Sequence, residues 1–205
     1  MQNALKTIPT QARGSVRTLT ARELPLFREH MLRLDRESRR DRFNGSLDDN
    51  FLARYAIQCV SDGTIILAYF EDGVVRGAAE LHQPDLSPGS LPEIAFSVEA
   101  CVRRQGVGSI LFTRLIDKAR SLGYESLRIT TGAQNDAMRA LANKFGAKLS
   151  FRHGESTGTI DLKQSPMPGM VATRTSGLDI GRALVDYQRA CWGLVLKMYG
   201  LGKAS

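Results

Sequence analysis

The chain has 205 residues, of which 42% are hydrophobic, and it carries a formal net charge of +7 at pH 7. This size and composition are typical of one globular domain with a sizeable core and short appendages, and the charge favours anionic ligands without requiring nucleic acid. The three cysteines, Cys59, Cys101 and Cys191, lie far apart and form no C-x-x-C pair, which excludes a typical zinc site or disulfide framework.

Features of an exported or membrane-spanning protein are not found in the sequence. The N-terminal residues contain no apolar core of signal-peptide length, and no apolar run approaches the length of a membrane span. The separated cysteines indicate a reducing compartment, and the scattered histidines indicate no metal site. We therefore expect a cytoplasmic protein without a bound metal.

The first part of the chain predicts an arm, a strand and two helices. Residues 1–14 show no periodicity and indicate a loose arm, and a short strand is predicted at 15–19. A Thr-x-x-Glu capping box over residues 20–23 opens the first helix. The segment 34–43 is dense in mixed charge, which is typical of a solvated joint between helices. A second helix is predicted over about 47–60.

The middle of the chain predicts a β-hairpin and a central strand. Asp72-Gly73 is a strong turn signal between β-rich runs at 64–70 and 74–82. A proline-containing loop then leads to period-two alternation over 93–98, which predicts a strand with one buried face. Alternation in the second hairpin strand predicts two opposite faces, one with Val75, Gly77, Ala79 and Leu81 and the other with Arg76, Ala78, Glu80 and His82.

Residues 103–108, Arg-Arg-Gln-Gly-Val-Gly, connect this central strand to a predicted helix. From Val107 to Leu122 apolar residues recur every three or four positions, and Gly123 stands at the C-terminal stop position. Glycines at a helix start allow close approach of a ligand, and the first helical N–H groups have no partner within the helix. Together with Arg103 and Arg104, these groups predict a turn that binds phosphate.

Two common phosphate-binding motifs do not match this turn. A P-loop needs Lys and then Ser or Thr after its second glycine. The dinucleotide fingerprint needs a third glycine where this chain has Leu111, and it normally follows the first strand of a fold. The remaining pattern is R-x-x-G-x-G, which Arg103, Gly106 and Gly108 satisfy.

A second motif follows a predicted strand at 126–131. Residues 135–147 resemble the pattern N-x-x-A-x-x-L-Y-x-x-x-G-F, with its order and spacing kept. Asn135, Leu141 and Gly146 match this pattern, whereas Met138, Ala142 and Ala147 replace its small residue, its tyrosine and its aromatic residue.

With both motifs in this order, residues from about Val16 to Leu162 resemble the GNAT superfamily of acyl-CoA-dependent N-acetyltransferases. The resemblance implies an α/β (α+β) fold with a mixed, mostly antiparallel sheet flanked by helices. It also implies direct acetyl transfer from acetyl-CoA, as co-substrate, to a primary amine of a small molecule or a protein lysine. The residues that it implies in cofactor binding are Val98, Arg103, Arg104, Gln105, Gly106, Val107, Gly108, Ser109 and Asn135.

The resemblance further implies the catalytic groups. A backbone N–H near Val98, where the central strand is expected to splay, would stabilise the oxyanion. Glu93, at the start of that strand, is the first candidate for the base that deprotonates the amine. Glu80, His82 and Glu99 are the alternates, and each of these groups could instead be an ordinary strand-end charge.

The absence of the tyrosine at Ala142 leaves two functions open. Ala142 cannot donate a proton to the departing thiolate, although a thiolate is a tolerable leaving group without help. A non-catalytic module that binds acetyl-CoA as a regulatory ligand is therefore the alternative to an enzyme. An acetylated intermediate on Cys101 is not expected, because no histidine lies nearby in the sequence to activate the thiol.

The charged segment and the C-terminal tail complete the expected organisation. Segment 34–43 resembles one in the GNAT domains of bacterial protein-lysine acetyltransferases, which implies that it borders the acceptor site. The GNAT-like domain is predicted over 15–162, followed by a linker at 163–176 and a C-terminal helical extension at 177–205. The apolar stripe of this helix predicts packing on its own domain or in a homodimer, and its charges exclude a membrane span.

Overall fold

A seven-stranded sheet forms the centre of this computed structural model, which describes residues 13–43, 45, 47–152 and 154–163. The strands are β1 (Ser15–Thr18), β2 (Ile65–Glu71), β3 (Val74–His82), β4 (Glu93–Val98), β5 (Ser126–Gly132), β6 (Lys148–Arg152) and β7 (Glu155–Asp161). The helices are α1 (Leu24–Arg33), α2 (Arg36–Phe43), α3 (Asp49–Ser61), α4 (Val107–Ser121) and α5 (Asp136–Lys144).

The sheet is mixed and mostly antiparallel, which confirms the fold class predicted from the sequence. Its strand order is β1-β2-β3-β4-β5-β7-β6, and only β4 and β5 are parallel neighbours. Most of the predicted arm at 1–14, most of the predicted linker at 163–176 and the whole predicted C-terminal helix lie outside the described residues. A homodimer through that helix and a cytoplasmic location stay predictions.

Two hydrophobic clusters cover the two faces of the sheet. One cluster joins α4 and the neighbouring β3, β4 and β5, with Leu111, Phe112 and Ile129 among its buried side chains. The other joins α1 and α3 to β2 and β3. The alternation predicted for β3 is confirmed, since Ala79 and Leu81 belong to the first cluster and Ala78 to the second.

The charged segment after α1 is a helix and not only a solvated joint. Leu34 takes an extended conformation (φ −60°, ψ 132°), so α1 ends and the chain turns. The Asp35 carboxylate then accepts hydrogen bonds from Ser38 N at 2.7 Å and Ser38 Oγ at 2.8 Å, which caps the start of α2. Periodicity missed α2 because its eight residues contain one apolar side chain, Phe43.

The parallel pair β4 and β5 is short and then opens. Pairing joins Glu93 to Arg128 and Ile94 to Ile129, and it extends no further. The remaining residues of β4 therefore have a strand neighbour only on the β3 side, where Ala95 to Val98 continue the antiparallel ladder. Helix α2 contacts both β4 and β5 at this opening, so it lies across the gap between them.

Among the described helices, none combines the length and apolar character that crossing a membrane requires.

Candidate active site

The start of α4 presents unpaired backbone donors. Gly106 caps the helix with φ of 87°, a left-handed conformation that glycine adopts without strain. No side chain of the described residues caps the helix there. The first intrahelical bond at this end runs from Ile110 N to Gly106 O at 3.0 Å. The N–H groups of Val107, Gly108 and Ser109 are therefore available to an anion, and the helix dipole favours negative charge at the same point.

Helix α5 lies against this first turn of α4. A Cβ on Gly108 would be 3.4 Å from Leu141 Cδ2, which is van der Waals contact, so the two helices meet at this position. Lys144 Nζ donates to Ser109 Oγ at 3.1 Å and adds a cation beside the unpaired N–H groups. Sequence reasoning missed Lys144, although it belongs to the second motif. Asn135 has a structural task in this motif, because its side chain caps α5 by accepting from Met138 N at 2.9 Å.

The two arginines of the turn differ in their surroundings. Arg104 takes the left-handed conformation (φ 62°), which is unusual for a residue with a side chain and shapes the turn. Arg103 Nε donates to Val98 O at 3.2 Å, and its guanidinium also donates to Ser38 Oγ and lies 3.4 Å from Asp35 Oδ2. The Arg103 side chain thus connects the turn to the end of β4 and to the start of α2.

Two backbone N–H groups of β4 face the opening between β4 and β5. Glu99 N donates to Arg76 O at 2.9 Å, and this bond shows which N–H groups of the strand point towards β3. Because hydrogen-bonding direction alternates along an antiparallel pair, the N–H groups of Phe96 and Val98 point away from β3. On that side β5 has already separated. Backbone donors at such an opening are of the kind that can stabilise an oxyanion, and the predicted role of Val98 stays a prediction.

A small open cleft lies where β4 and β5 separate. Its walls combine apolar side chains with polar or charged side chains from α2, from β5 and from the N-cap of α5. Its lining residues are Asp41, Arg42, Ile94, Ala95, Phe96, Ile129, Thr130, Thr131, Asn135 and Met138.

Asp41 is a carboxylate of this cleft that sequence reasoning did not single out. It lies on α2, and no hydrogen bond reaches its carboxylate within the described part of the chain. Burial, with a smaller contribution from Glu37, raises the pKa of the Asp41 carboxyl above its usual value. The charge-rich sequence around Asp41 concealed it, because nothing local distinguishes a cleft carboxylate from a solvated one.

Glu80, an alternate candidate for the base, is completely buried among polar partners. Arg42 donates to Glu80 Oε2 at 3.0 Å and to the Tyr55 hydroxyl at 2.6 Å, and Tyr55 in turn donates to Glu80. His82 Nε2 lies 3.3 Å from the same carboxylate oxygen, and His82 Nδ1 lies 3.1 Å from Thr64 Oγ1. This network attaches α2 and α3 to β3.

The electrostatics of this network favour a structural role for Glu80. Its burial acts to raise its pKa, but the charge of Arg42 and hydrogen bonds from His82 and Tyr55 outweigh this effect and hold the pKa well below its usual range. Burial also raises the pKa of the Tyr55 hydroxyl and of the nearby Cys59 thiol. A carboxylate that stays ionised and paired is poorly suited to accept a proton at neutral pH.

Glu93, the first candidate for the base, lies where β4 and β5 are still paired, next to Ile94, which lines the cleft. It is half-buried, faces His82 across the β3–β4 ladder and neighbours Arg128 on β5. Alternation along β4 places it on the same face as Ser97, which contacts α1. Glu93 therefore lies on the side of the sheet that α1 to α3 cover, next to the point where the cleft opens.

Glu99, another alternate, is held by three cationic or imidazole side chains. His30 Nδ1 and Arg33 Nε lie 3.0 Å from Glu99 Oε1, and Arg76 donates to Oε2 at 2.8 Å. Burial opposes ionisation, but hydrogen bonds from His30 and Arg76 and the charge of Arg33 lower the pKa of Glu99 to about 2. These contacts tie α1 to the end of β4 and leave Glu99 ionised at neutral pH.

Comparison with known proteins identifies the family. Residues 28–147 match the model of the acetyltransferase (GNAT) family, so the chain belongs to this family. This match confirms the resemblance drawn from the two motifs.

Solved structures share the fold at low sequence identity. The GNAT domain of PAT from S. lividans aligns with a TM-score of 0.61 and 20% identity, covering 72% of this chain and 90% of that one. An N-acetyltransferase from Staphylococcus aureus Mu50 aligns with a TM-score of 0.57 and 20% identity, covering 73% and 99%. A phosphinothricin acetyltransferase from Sinorhizobium meliloti, in complex with AcCoA, aligns with a TM-score of 0.57 and 19% identity, covering 76% and 94%.

The Glu99 cluster predicts a specific loss of stability in acid. The folded-state pKa of about 2 lies below the value of about 4.3 expected in the unfolded chain. At pH values above about 4.3, the ionised Glu99 therefore stabilises the folded state by up to about 3 kcal/mol. This contribution is lost as the pH falls from about 4.3 towards 2. Urea unfolding of the protein and of Glu99→Gln at several pH values should give a stability difference that shrinks over this range.

The matched control for this experiment is Glu125→Gln, which removes an exposed glutamate far from the cluster. Its stability difference from the unmodified protein should stay small at every pH. A difference for Glu99→Gln that is equally large at pH 7 and pH 3 would contradict the assigned pKa.

Proposed function

We propose that this protein transfers the acetyl group of acetyl-CoA directly to a primary amine, either of a small molecule or of a protein lysine. The observation that carries the proposal is the opening between β4 and β5 beside the uncapped start of α4. The open edge of β4 is next to the start of α4 on one side and the cleft on the other. This arrangement suits an extended ligand with phosphate at one end and a carbonyl at the other. The AcCoA complex of the phosphinothricin acetyltransferase supports this choice of co-substrate.

The described residues fit acetyl-CoA on chemical grounds. The N–H groups of Val107, Gly108 and Ser109 would hold the pyrophosphate, and Lys144 would add a neutralising charge. The cofactor supplies an acetyl thioester, which is an activated acyl donor. The N–H groups of Phe96 and Val98 would then donate to the carbonyl oxygen as negative charge develops there.

Two carboxylates would serve the acceptor amine. Glu93 would accept the proton of the ammonium, directly or through water, from its place beside the cleft. Asp41 would attract the cationic acceptor to the cleft, since its carboxylate has no hydrogen-bonding partner in the described part of the chain. The apolar walls of the cleft suit the aliphatic chain of an amine such as lysine.

A regulatory acetyl-CoA-binding module is the second candidate function. The observation that favours it is Ala142, which is completely buried and has no group to protonate the thiolate. Such a module would bind acetyl-CoA and CoA but would release no thiol in the presence of amines.

Release of CoA thiol in an amine panel distinguishes these two functions. We expect thiol release from acetyl-CoA that depends on an amine, either with small primary amines or with lysine peptides, and that exceeds hydrolysis without an acceptor. Mass spectrometry of the acceptor should show one added acetyl group. Binding of acetyl-CoA without amine-dependent release across the panel would support the regulatory module instead.

The cofactor turn is tested by Gly108→Asp. Ligand at a hundredfold excess over Kd stabilises a protein by about 2.7 kcal/mol, so CoA and acetyl-CoA should raise the Tm by several degrees. Gly108→Asp should remove most of this shift, because the new carboxylate repels phosphate and its Cβ lies against Leu141. The substitution itself should be tolerated, since an acidic residue is favourable near a helix N-terminus.

Ser121→Asp is the matched control for Gly108→Asp, because it adds the same charge at the other end of α4. It should leave the CoA-dependent shift unchanged. An undiminished shift in Gly108→Asp would show that CoA does not bind at this turn.

The base is tested by Glu93→Gln. Loss of a general base should lower kcat at neutral pH by about 100-fold or more, with little change in the acetyl-CoA-dependent shift of Tm. Glu80→Gln should instead lower the Tm strongly, because the buried Arg42 loses its counter-charge, at a cost of about 3–5 kcal/mol. A well-folded but inactive Glu80→Gln beside a fully active Glu93→Gln would reverse the two assignments.

A further inference from the structure

Thr131, near the end of β5, has a hydroxyl without a hydrogen-bonding partner among the residues that the structure describes. The residue is 6% exposed, and its Oγ1 atom makes no hydrogen bond within the described part of the chain. The residue lines the cleft between β4 and β5. A buried hydroxyl that has lost water without gaining a hydrogen bond is unfavourable, and few such groups occur in folded proteins. The position therefore suits a ligand that brings an acceptor into the cleft.

Helix α5, whose Met138 lines the cleft, has alanine at position 142, where the sequence pattern has tyrosine. Ala142 follows Met138 by four residues, so the two share one face of α5. Side chains on a helix lean towards its N-terminus, which directs position 142 towards Met138 and Asn135. Both of these residues line the cleft, so a phenol at position 142 would point into it. Alanine provides no donor there.

We propose that the Thr131 hydroxyl donates a hydrogen bond to the sulfur of the CoA thiolate as it departs, in place of the missing phenol. This inference rests on the proposed acetyl transfer. The amine nitrogen forms a bond to the carbonyl carbon, the carbon–sulfur bond breaks, and its electron pair goes to sulfur. The proton lost by the nitrogen leaves through Glu93 or water. Thr131 keeps its own proton throughout and stabilises the developing negative charge by donation alone.

The backbone holds Thr131 firmly for this task. Thr131 pairs with Ser156 on β7, within a ladder that runs the full length of both strands. The hydroxyl is therefore carried by a strand that has a partner on its far side, while its near side faces the opening. A donor fixed in this way needs little reorganisation when charge develops on the sulfur.

The ionisation of CoA bound to the protein tests this inference without any acceptor amine. A hydrogen bond to the thiolate should lower the thiol pKa of bound CoA by about one unit below that of free CoA, which is a tenfold change in the ionisation constant. The ultraviolet absorbance of the thiolate, followed against pH, measures this value. Thr131→Val keeps the shape and should return the thiol pKa towards that of free CoA, whereas Thr131→Ser should keep it lowered.

Thr130→Val is the matched control. Thr130 is the preceding residue of β5 and lines the same cleft, but it points to the other face of the sheet. The charged groups lining the cleft, Asp41 and Arg42, are unchanged in every variant. Thr130→Val should leave the thiol pKa as in the unmodified protein. With an active acceptor, Thr131→Val should lower kcat about tenfold and leave the acceptor KM unchanged.

Three results would overturn the inference. The first is an unchanged thiol pKa in Thr131→Val, and the second is an equal change in Thr130→Val. The third is that Thr131→Val loses affinity equally for CoA and for desulfo-CoA, which would place the hydrogen bond of Thr131 on the pantetheine arm. If Thr131→Val does not fold, Thr131→Ala provides the same comparison. Failure of CoA to bind the unmodified protein would instead refute the proposed function.

Discussion

The separation of β4 from β5 is the constraint on which the rest of the site depends. Parallel strands that stayed paired would use every N–H and C=O group in the ladder, and no backbone donor would remain for a ligand. Here pairing ends at Ile94 and Ile129, which leaves the N–H groups of Phe96 and Val98 facing a gap. Such unpaired groups are costly to bury, so the gap has to be filled by a ligand, by water or by another part of the chain.

Buried charge holds the helix that covers this gap. Arg42 and Glu80 are far apart in sequence but pair at 3.0 Å, and Tyr55 joins the same group. Placing these ions in the interior is expensive, and the pair offsets that cost only while its geometry is kept. The arrangement therefore resists sliding of α2 across the sheet, which a purely apolar contact of the same helix would tolerate better. Asp41, which precedes Arg42 on α2, keeps its place at the cleft for this reason.

Local patterns explain why much of the fold and half of the site could be predicted. The turn before α4 depends on glycines and on a change of period within a few residues, and both are visible in the sequence. Helix α2 was missed because it is stabilised by the Asp35 cap and by Arg42, not by an apolar stripe. Asp41 and Thr131 could not be found either, since their significance depends on the lack of hydrogen-bonding partners among the described residues.

Arg103 connects the two sides of the site through one side chain. It begins the anion-binding turn, its Nε bonds the last carbonyl of β4, and its guanidinium contacts Ser38 at the start of α2. Charged hydrogen bonds of this kind are about twice as strong as neutral ones and are directional. The start of α4, the open strand edge and the helix that carries Asp41 are thus held in register by contacts that converge on one guanidinium. In this geometry, the position of the acyl donor and the position of the acceptor therefore depend on each other.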